Sequence, residues 1–200
     1  MTPALRNAVL LALVAGLAVA VTLAWRQWTQ APIAEAEQQL HARRWLAALP
    51  QDRYDNQPLQ APLPLAATRL PHSQLLAGYR ATRAGKPSAI LLRSQTQGYG
   101  GPILLMIAID PDGRLLGIQV LEQQESPGLG ARLADPQAHW LEQFSGRTRA
   151  GSWALKRDQG EFDQLAGATV TSRAVIAALQ DALRYFDEHR ASLLGEDAHE

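Results

Sequence analysis

The chain has 200 residues, with 19 Lys and Arg against 19 Asp and Glu, five His and no Cys. That length suits one ordinary domain plus a membrane segment, and the balanced charge supplies no net field toward nucleic acid or anionic lipid. Without cysteine there is no disulfide, thiolate chemistry, lipid-modified N-terminal cysteine, cysteine-held iron–sulfur cluster or haem attached through C-x-x-C-H.

Residues 8–24 (AVLLALVAGLAVAVTLA) carry no charge. With Trp25 and the residues just before Ala8, the run reaches the roughly 20 apolar residues that a helix needs to cross a bilayer. Trp25 and Trp28, with Arg26 between them, read as an interfacial belt. We expect a short tail over 1–7 and a single-pass anchor over 8–28. A cleaved signal peptide is the alternative, with Ala18-Val19-Ala20 or Thr22-Leu23-Ala24 as its cleavage site; the apolar run exceeds the usual signal core of about 7–15 residues. Charge leaves the orientation open, because Arg6 precedes the span while Arg26, Arg43 and Arg44 follow it.

Residues 29–73 read as a helix and a Pro-rich linker. Ala31-Pro32 opens a helix to about Leu49, with Ile33, Ala36, Leu40, Ala47 and Leu49 on one face. Pro50 ends it, and 50–73 is a linker or an irregular wrapping segment. The folded domain is expected over 74–190. Within it, 88–93 (SAILLR) reads as a strand. Residues 103–109 and 114–121 form a hairpin around the turn Asp110-Pro111-Asp112-Gly113. Asp135-Pro136 starts a short helix to Phe144, and 152–156 reads as a strand with Trp153 in the core. An amphipathic helix spans 172–189, with Val175, Leu179, Leu183 and Phe186 inward and Arg173, Asp181 and Arg184 toward water. Residues 191–200 form a polar tail. The class is α+β: a mainly antiparallel sheet covered by helices on one face.

Three glycine-rich loops stand out. Residues 163–172 (DQLAGATVTS) combine small residues, two threonine hydroxyls and a helix start, where unpartnered amides and the helix dipole favour a phosphate. The plainer reading is that Thr171 or Ser172 caps the helix and Gly167 makes a turn. Residues 125–130 (ESPGLG) set two glycines around one leucine, suited to a flat ring. Residues 98–102 (GYGGP) lead into the buried strand. Three such loops at the ends of neighbouring elements resemble the rim of a cofactor pocket. The histidines (His41, His72, His139, His189, His199) are scattered without ligand spacing, so an organic cofactor, not a metal, is the expected redox group.

The runs GYGGPI, ESPGLG and D-x-x-x-GAT-x-TS, in this order behind one apolar span, resemble the G subunit of the Rnf (Rsx) electron transport complex, an FMN-binding domain family. They are also similar to the C subunit of the sodium-pumping NADH:quinone reductase, and GYGGPI favours the former. The resemblance covers most of the chain, is close over 98–186 and thin over 30–75. It implies one FMN per chain, joined by a phosphoester to Thr169 and installed by a flavin transferase from FAD with a divalent metal. It further implies a single-pass protein of the bacterial inner membrane with its soluble domain in the periplasm. That domain would relay electrons among the subunits of an ion-translocating complex, as a carrier rather than an enzyme in its own right.

On this resemblance Gly167, Ala168, Val170, Thr171 and Ser172 would surround the phosphate, with Thr171 the second-choice acceptor. Leu129 would pack on a ring face between Gly128 and Gly130, with Ser126 beside it and Glu125 near a polar edge. Tyr99 would stack on the ring, with packing on the core rim as the alternative, Gly100 would border it, and Lys156 would offset the flavin's charge, with a solvated surface lysine as the alternative. Asp163 would shape the loop or be read by the transferase. Three positions depart from the family pattern: Ala166 replaces a usual Ser or Thr, Ser126 a frequent Thr, and no histidine stands near Gln123–Gln124. The alternatives are an FMN domain of another periplasmic reductase or regulator, and a cofactor-free envelope scaffold whose three loops are only turns.

Overall fold

The computed structural model describes residues 2–195, with the side chains of 8, 9, 26–41 and 136 excepted. The belt residues Arg26 and Trp28, the helix face of Ile33, Ala36 and Leu40, and the tail at 196–200 therefore lie outside what is described. The chain divides into two compact units, Met1–Arg43 and Arg44–Glu200.

Helix α1 runs unbroken over Pro3–Leu46. The expected second helix beginning at Ala31-Pro32 is thus part of α1: Pro32 removes one backbone donor and the helix continues through it. Its first 23 residues, Pro3–Trp25, have a mean hydropathy of 2.5, long and apolar enough to cross a membrane. Leu10, Leu11, Leu13, Val14 and Leu17 are all exposed. At 100° per residue these five fall on one half of the helix, and the equally exposed Leu5, Val19 and Leu23 fall on the other, so this stretch has no core-facing stripe of its own.

In the second unit a five-stranded antiparallel meander forms in chain order: β1 Thr68–Arg69, β2 Ser73–Arg83, β3 Lys86–Gln97, β4 Pro102–Ile109 and β5 Leu115–Glu122. The β2–β3 turn places Ala84 and Gly85 at φ of 50° and 76°, the double positive-φ turn that matches strand twist. At the β4–β5 turn, Asp110 Oδ1 accepts from the amides of Asp112 and Arg114. β2 carries no clear alternation in the sequence because its register shifts twice, between Leu75 and Ala77 and between Ala81 and Thr82.

Ile90, Leu92, Ile103, Leu105 and Ile107 point to one face of the sheet. There they meet α2, Thr169–Glu188, and the short α3, Arg190–Leu194. The irregular chain over 130–165 extends this layer with an aromatic cluster, Phe144 lying 4.8 Å from Phe162 and 5.2 Å from Trp140. Trp153 stacks into the same cluster, as expected of a core residue. The expected helix over 136–144 is instead two short 3-10 turns, Pro136–Ala138 and Trp140–Phe144, split by His139 in a left-handed conformation. The expected strand over 152–156 makes one isolated bridge, Leu155 to Phe162, and joins no sheet. Its buried Trp153 and Leu155 supply a strand-like pattern, but what they face is the aromatic cluster.

The opposite face carries Ala81, Ala89, Leu91, Met106 and Ala108. It is covered by Trp45, Leu46, Ala48, Leu49, Tyr54 and Leu59. Of the two readings of the Pro-rich stretch, the wrapping segment is the one observed: α2 and α3 cover one sheet face, as expected, and residues 45–59 cover the other. Asp181, expected toward water, is buried on α2. Its Oδ2 accepts from the His72 amide at 2.8 Å and the Ser73 hydroxyl at 3.0 Å, pinning the start of β2.

The wrapping segment approaches β5 at Gly117, where any Cβ would collide with the Ala48 carbonyl oxygen. Gly117→Ala should therefore lower stability by about 1–3 kcal/mol, as overpacking against rigid backbone does. Denaturant unfolding of the detergent-solubilised chain measures it.

Candidate functional site

Helix α2 starts at Thr169, three residues before the expected start at Ser172, and its N-cap is Ala168, with no side-chain capping bond. A cap of Ser, Thr, Asp or Asn would add about 1 kcal/mol. In its absence the amides of Thr169, Val170 and Thr171 have no hydrogen-bond partner among the described residues, and the first helical bond runs from Ser172 N to Ala168 O at 3.0 Å. The positive end of a 20-residue helix is left open.

The hydroxyls here divide sharply. Ser172 is buried, donating to Ala168 O at 2.8 Å and accepting from the Leu165 amide at 2.9 Å, which closes the turn below the helix. Thr171 is 0% exposed and donates to Glu125 Oε2 at 2.5 Å. Thr169 is half-buried, and its hydroxyl donates only to the exposed Gln164 Oε1, at 3.1 Å. Gly167 takes φ +73°, in the left-handed region, and a Cβ there would sit 2.6 Å from Leu129 Cδ2. The second loop is thereby laid against the first.

Within that second loop, Ser126 O accepts from the amides of Leu129 and Ala131, both at 3.2 Å, and its side chain is half-buried. Gly128 is at φ +76° in open space. Glu125, placed by sequence reasoning near a polar edge, lies instead beneath the surface at 7% exposure. Its Oε1 accepts from the Gly100 amide at 3.0 Å, which brings in the third loop. Gly98 and Gly130 pack so closely on its carboxyl group that a Cβ on either would collide with it.

Among the described residues of the second unit, the exposed large apolar side chains are Tyr99 at 75%, Leu129 at 47% and Val170 at 50%. One comes from each loop. The three loops therefore meet in space and present an apolar rim beside an accessible hydroxyl and three open amides.

Lys156 pairs with Asp163 at 2.6 Å, both exposed. The Asp163 backbone is held by Trp140 Nε1 at 2.7 Å and by Gln143, so the loop start is built into the aromatic cluster. Arg173, one turn beyond Thr169, binds Asp158 through two hydrogen bonds of 2.9 and 3.0 Å. The hydrogen bond from Arg173 holds the Asp158 carboxyl below the usual carboxylate range, against the opposing effect of desolvation. The pair is therefore intact at neutral pH, and its contribution disappears as pH falls through that lowered value. Sequence reading left Arg173 as a solvated cation, because its partner lies 15 residues away in a turn with no periodic signal.

A family model described as FMN-binding domain matches residues 98–184, a stretch that begins at the Gly98 loop and encloses all three. The crystal structure of Shewanella oneidensis NqrC has a similar fold, with a TM-score of 0.50 and 22% identity over 64% of this chain and 71% of that one. Fold and loops together are those of an FMN-binding domain protein.

Over 199 residues the chain is 41% identical to the G subunit of the ion-translocating oxidoreductase complex of Pseudomonas aeruginosa (strain UCBPP-PA14), covering 96% of this chain and 93% of that protein. The corresponding subunits of Stutzerimonas stutzeri and Shewanella baltica (strain OS223) are 38% and 35% identical, over 90% and 96% of this chain and 79% and 93% of theirs. The chain belongs to this family, the G subunits of ion-translocating oxidoreductase complexes.

Two glycines test the loop geometry. Gly128→Ala should lower stability by about 1 kcal/mol, for the left-handed backbone alone. Gly167→Ala should lower it further, because its methyl also displaces Leu129. Denaturant melts of the two variants side by side read the difference.

Proposed function

We propose that this chain is the membrane-anchored electron carrier of an ion-translocating oxidoreductase complex, holding one FMN through a phosphoester on Thr169. The observation that carries this reading is the contrast between the two candidate threonines. Thr169 stands accessible at an open helix N-terminus, whereas Thr171 is buried and bonded to Glu125. The group fits. The free amides of Thr169, Val170 and Thr171 suit phosphate oxygens, and Gly167, lacking a Cβ, lets Leu129 lie close beside them. Tyr99, Leu129 and Val170 offer apolar contact to a planar ring.

FMN would supply the electron-carrying chemistry, and the protein its placement and surroundings. Attachment forms a bond between Thr169 Oγ1 and the FMN phosphorus. It breaks the pyrophosphate bond of FAD, with AMP leaving and the hydroxyl proton passing to a base of the flavin transferase. Ser172 and Thr171, both internally bonded, would shape the anchor loop rather than bind phosphate through their side chains. Lys156 and Arg173, each paired to an aspartate, flank the same end of α2 and would soften the phosphate charge at its rim.

α1 would anchor the chain in the bacterial inner membrane, with the second unit on the periplasmic side facing the other subunits. Covalent attachment suits a shallow site. A flavin held by an ester can keep one edge open to redox partners, where a non-covalent one would need enclosure.

Co-expression with an active flavin transferase tests this. Wild type and Thr171→Val should gain the mass of one FMN less water and fluoresce after denaturation, with Thr171→Val labelled less completely. Thr169→Ala should show neither. Label persisting on Thr169→Ala would overturn the attachment point. An unlabelled wild type, with the transferase active on a control substrate, would overturn the reading.

A further inference from the structure

Among the described residues, Glu125 is the carboxyl group buried inside the three-loop cluster, and both its oxygens are engaged. Oε1 accepts from the Gly100 amide at 3.0 Å and Oε2 from the Thr171 hydroxyl at 2.5 Å. Its own amide donates to Gln123 Oε1 at 2.6 Å, so backbone and side chain are both held. The partners lie 25 and 46 residues away, on the other two loops. Gly98 and Gly130 close the sides, each lacking room for a Cβ because of this carboxyl group.

A simple adjacency links this buried clamp to the surface. Gly100, Gly130 and Thr171, which touch Glu125, are each preceded in the chain by an exposed apolar residue: Tyr99, Leu129 and Val170. A contact that fixes one residue's backbone fixes the direction of its neighbour. The clamp also lies under the N-terminus of α2, where negative charge is favoured. It engages the third helical residue from within, and the outward amides of the uncapped first turn remain open.

We propose that Glu125 is a positioning residue whose carboxyl group, held between the Gly100 amide and the Thr171 hydroxyl, sets the three loops in the one arrangement that receives the flavin. It acts without touching the flavin. This rests on the FMN reading above, and it replaces the expectation that Glu125 meets the ring edge.

The test uses the full chain in detergent, with and without transferase, comparing Glu125→Gln, Glu125→Ala, Thr171→Val and Thr171→Ser. In unloaded chains, amide exchange at Gly100 should accelerate at least tenfold in Glu125→Ala. Glu125→Gln, which keeps an acceptor for that amide, should fall between it and wild type. With transferase, the initial rate of FMN incorporation should drop about tenfold or more in Glu125→Ala and Thr171→Val. The visible circular dichroism of the incorporated flavin should weaken in both. Thr171→Ser, which restores the hydroxyl, should recover both signals.

Unchanged Gly100 exchange with wild-type incorporation and dichroism in Glu125→Ala would overturn the proposal. If Glu125→Ala loses its helical signal, the Thr171 pair decides, and equal behaviour of Val and Ser would overturn it as well. Failure of the FMN reading itself is separate: wild type would then take up no flavin, while the exchange comparison on unloaded chains would still read the clamp.

Discussion

The hydrogen bond from Thr171 to Glu125 joins two parts of the chain that nothing local would bring together. It connects the first turn of α2 to the loop that leaves β5, and through Oε1 of the same carboxyl group to the loop between β3 and β4. Burying a carboxyl group is unfavourable unless its oxygens are satisfied, so this contact admits few alternatives. Loops rich in glycine lose more conformational entropy on ordering than others. One shared acceptor, with glycines packed against it, offsets that loss and gives the cluster a defined shape. The uncapped start of α2 is the complementary feature, because stability forgone there leaves amides free for a ligand.

The scaffold beneath explains why such a cluster can be held steady. The central strands β3 and β4 are covered on both faces, by α2 on one and by residues 45–59 on the other. The loop between β3 and β4 therefore springs from the two covered central strands, the 125–130 loop follows the edge strand β5 beside them, and α2, which packs mainly on β3, carries the 163–172 loop at its own N-terminus. Asp181 reinforces the arrangement from within α2 by holding the entry to β2. Rigid elements with short loops keep functional groups in register better than mobile segments do.

The proposed site is shallow, with an accessible hydroxyl, three amides and a small apolar rim in place of a deep cavity. That shape is a poor enclosure for a free cofactor and a good seat for a tethered one. On the proposed attachment, openness would shorten the electron path to neighbouring subunits and the covalent bond would prevent loss. Lys156 and Arg173 are paired with Asp163 and Asp158, and the open amides of α2 add the positive end of the helix dipole at the proposed site.

The apolar span, the hairpin at 103–121, the amphipathic α2 and the three loop motifs are written in local periodicity or in turn chemistry, and reading the chain in order suffices for them. Family membership was legible in the same motifs. Such reading could not carry β2, whose two bulges erase a period-2 pattern, or the covering of the second sheet face by residues 45–59, which run from the end of α1 into the Pro-rich stretch. The stretch 152–156 read as a strand because burial of Trp153 and Leu155 in an irregular cluster leaves the same alternation as burial in a sheet. The inward Asp181, the Arg173–Asp158 pair and the burial of Thr171 beside the half-buried Thr169 emerged with the folded chain alone. Those depend on partners many residues away, and a hydroxyl's burial is set by what packs on it rather than by its neighbours in the chain.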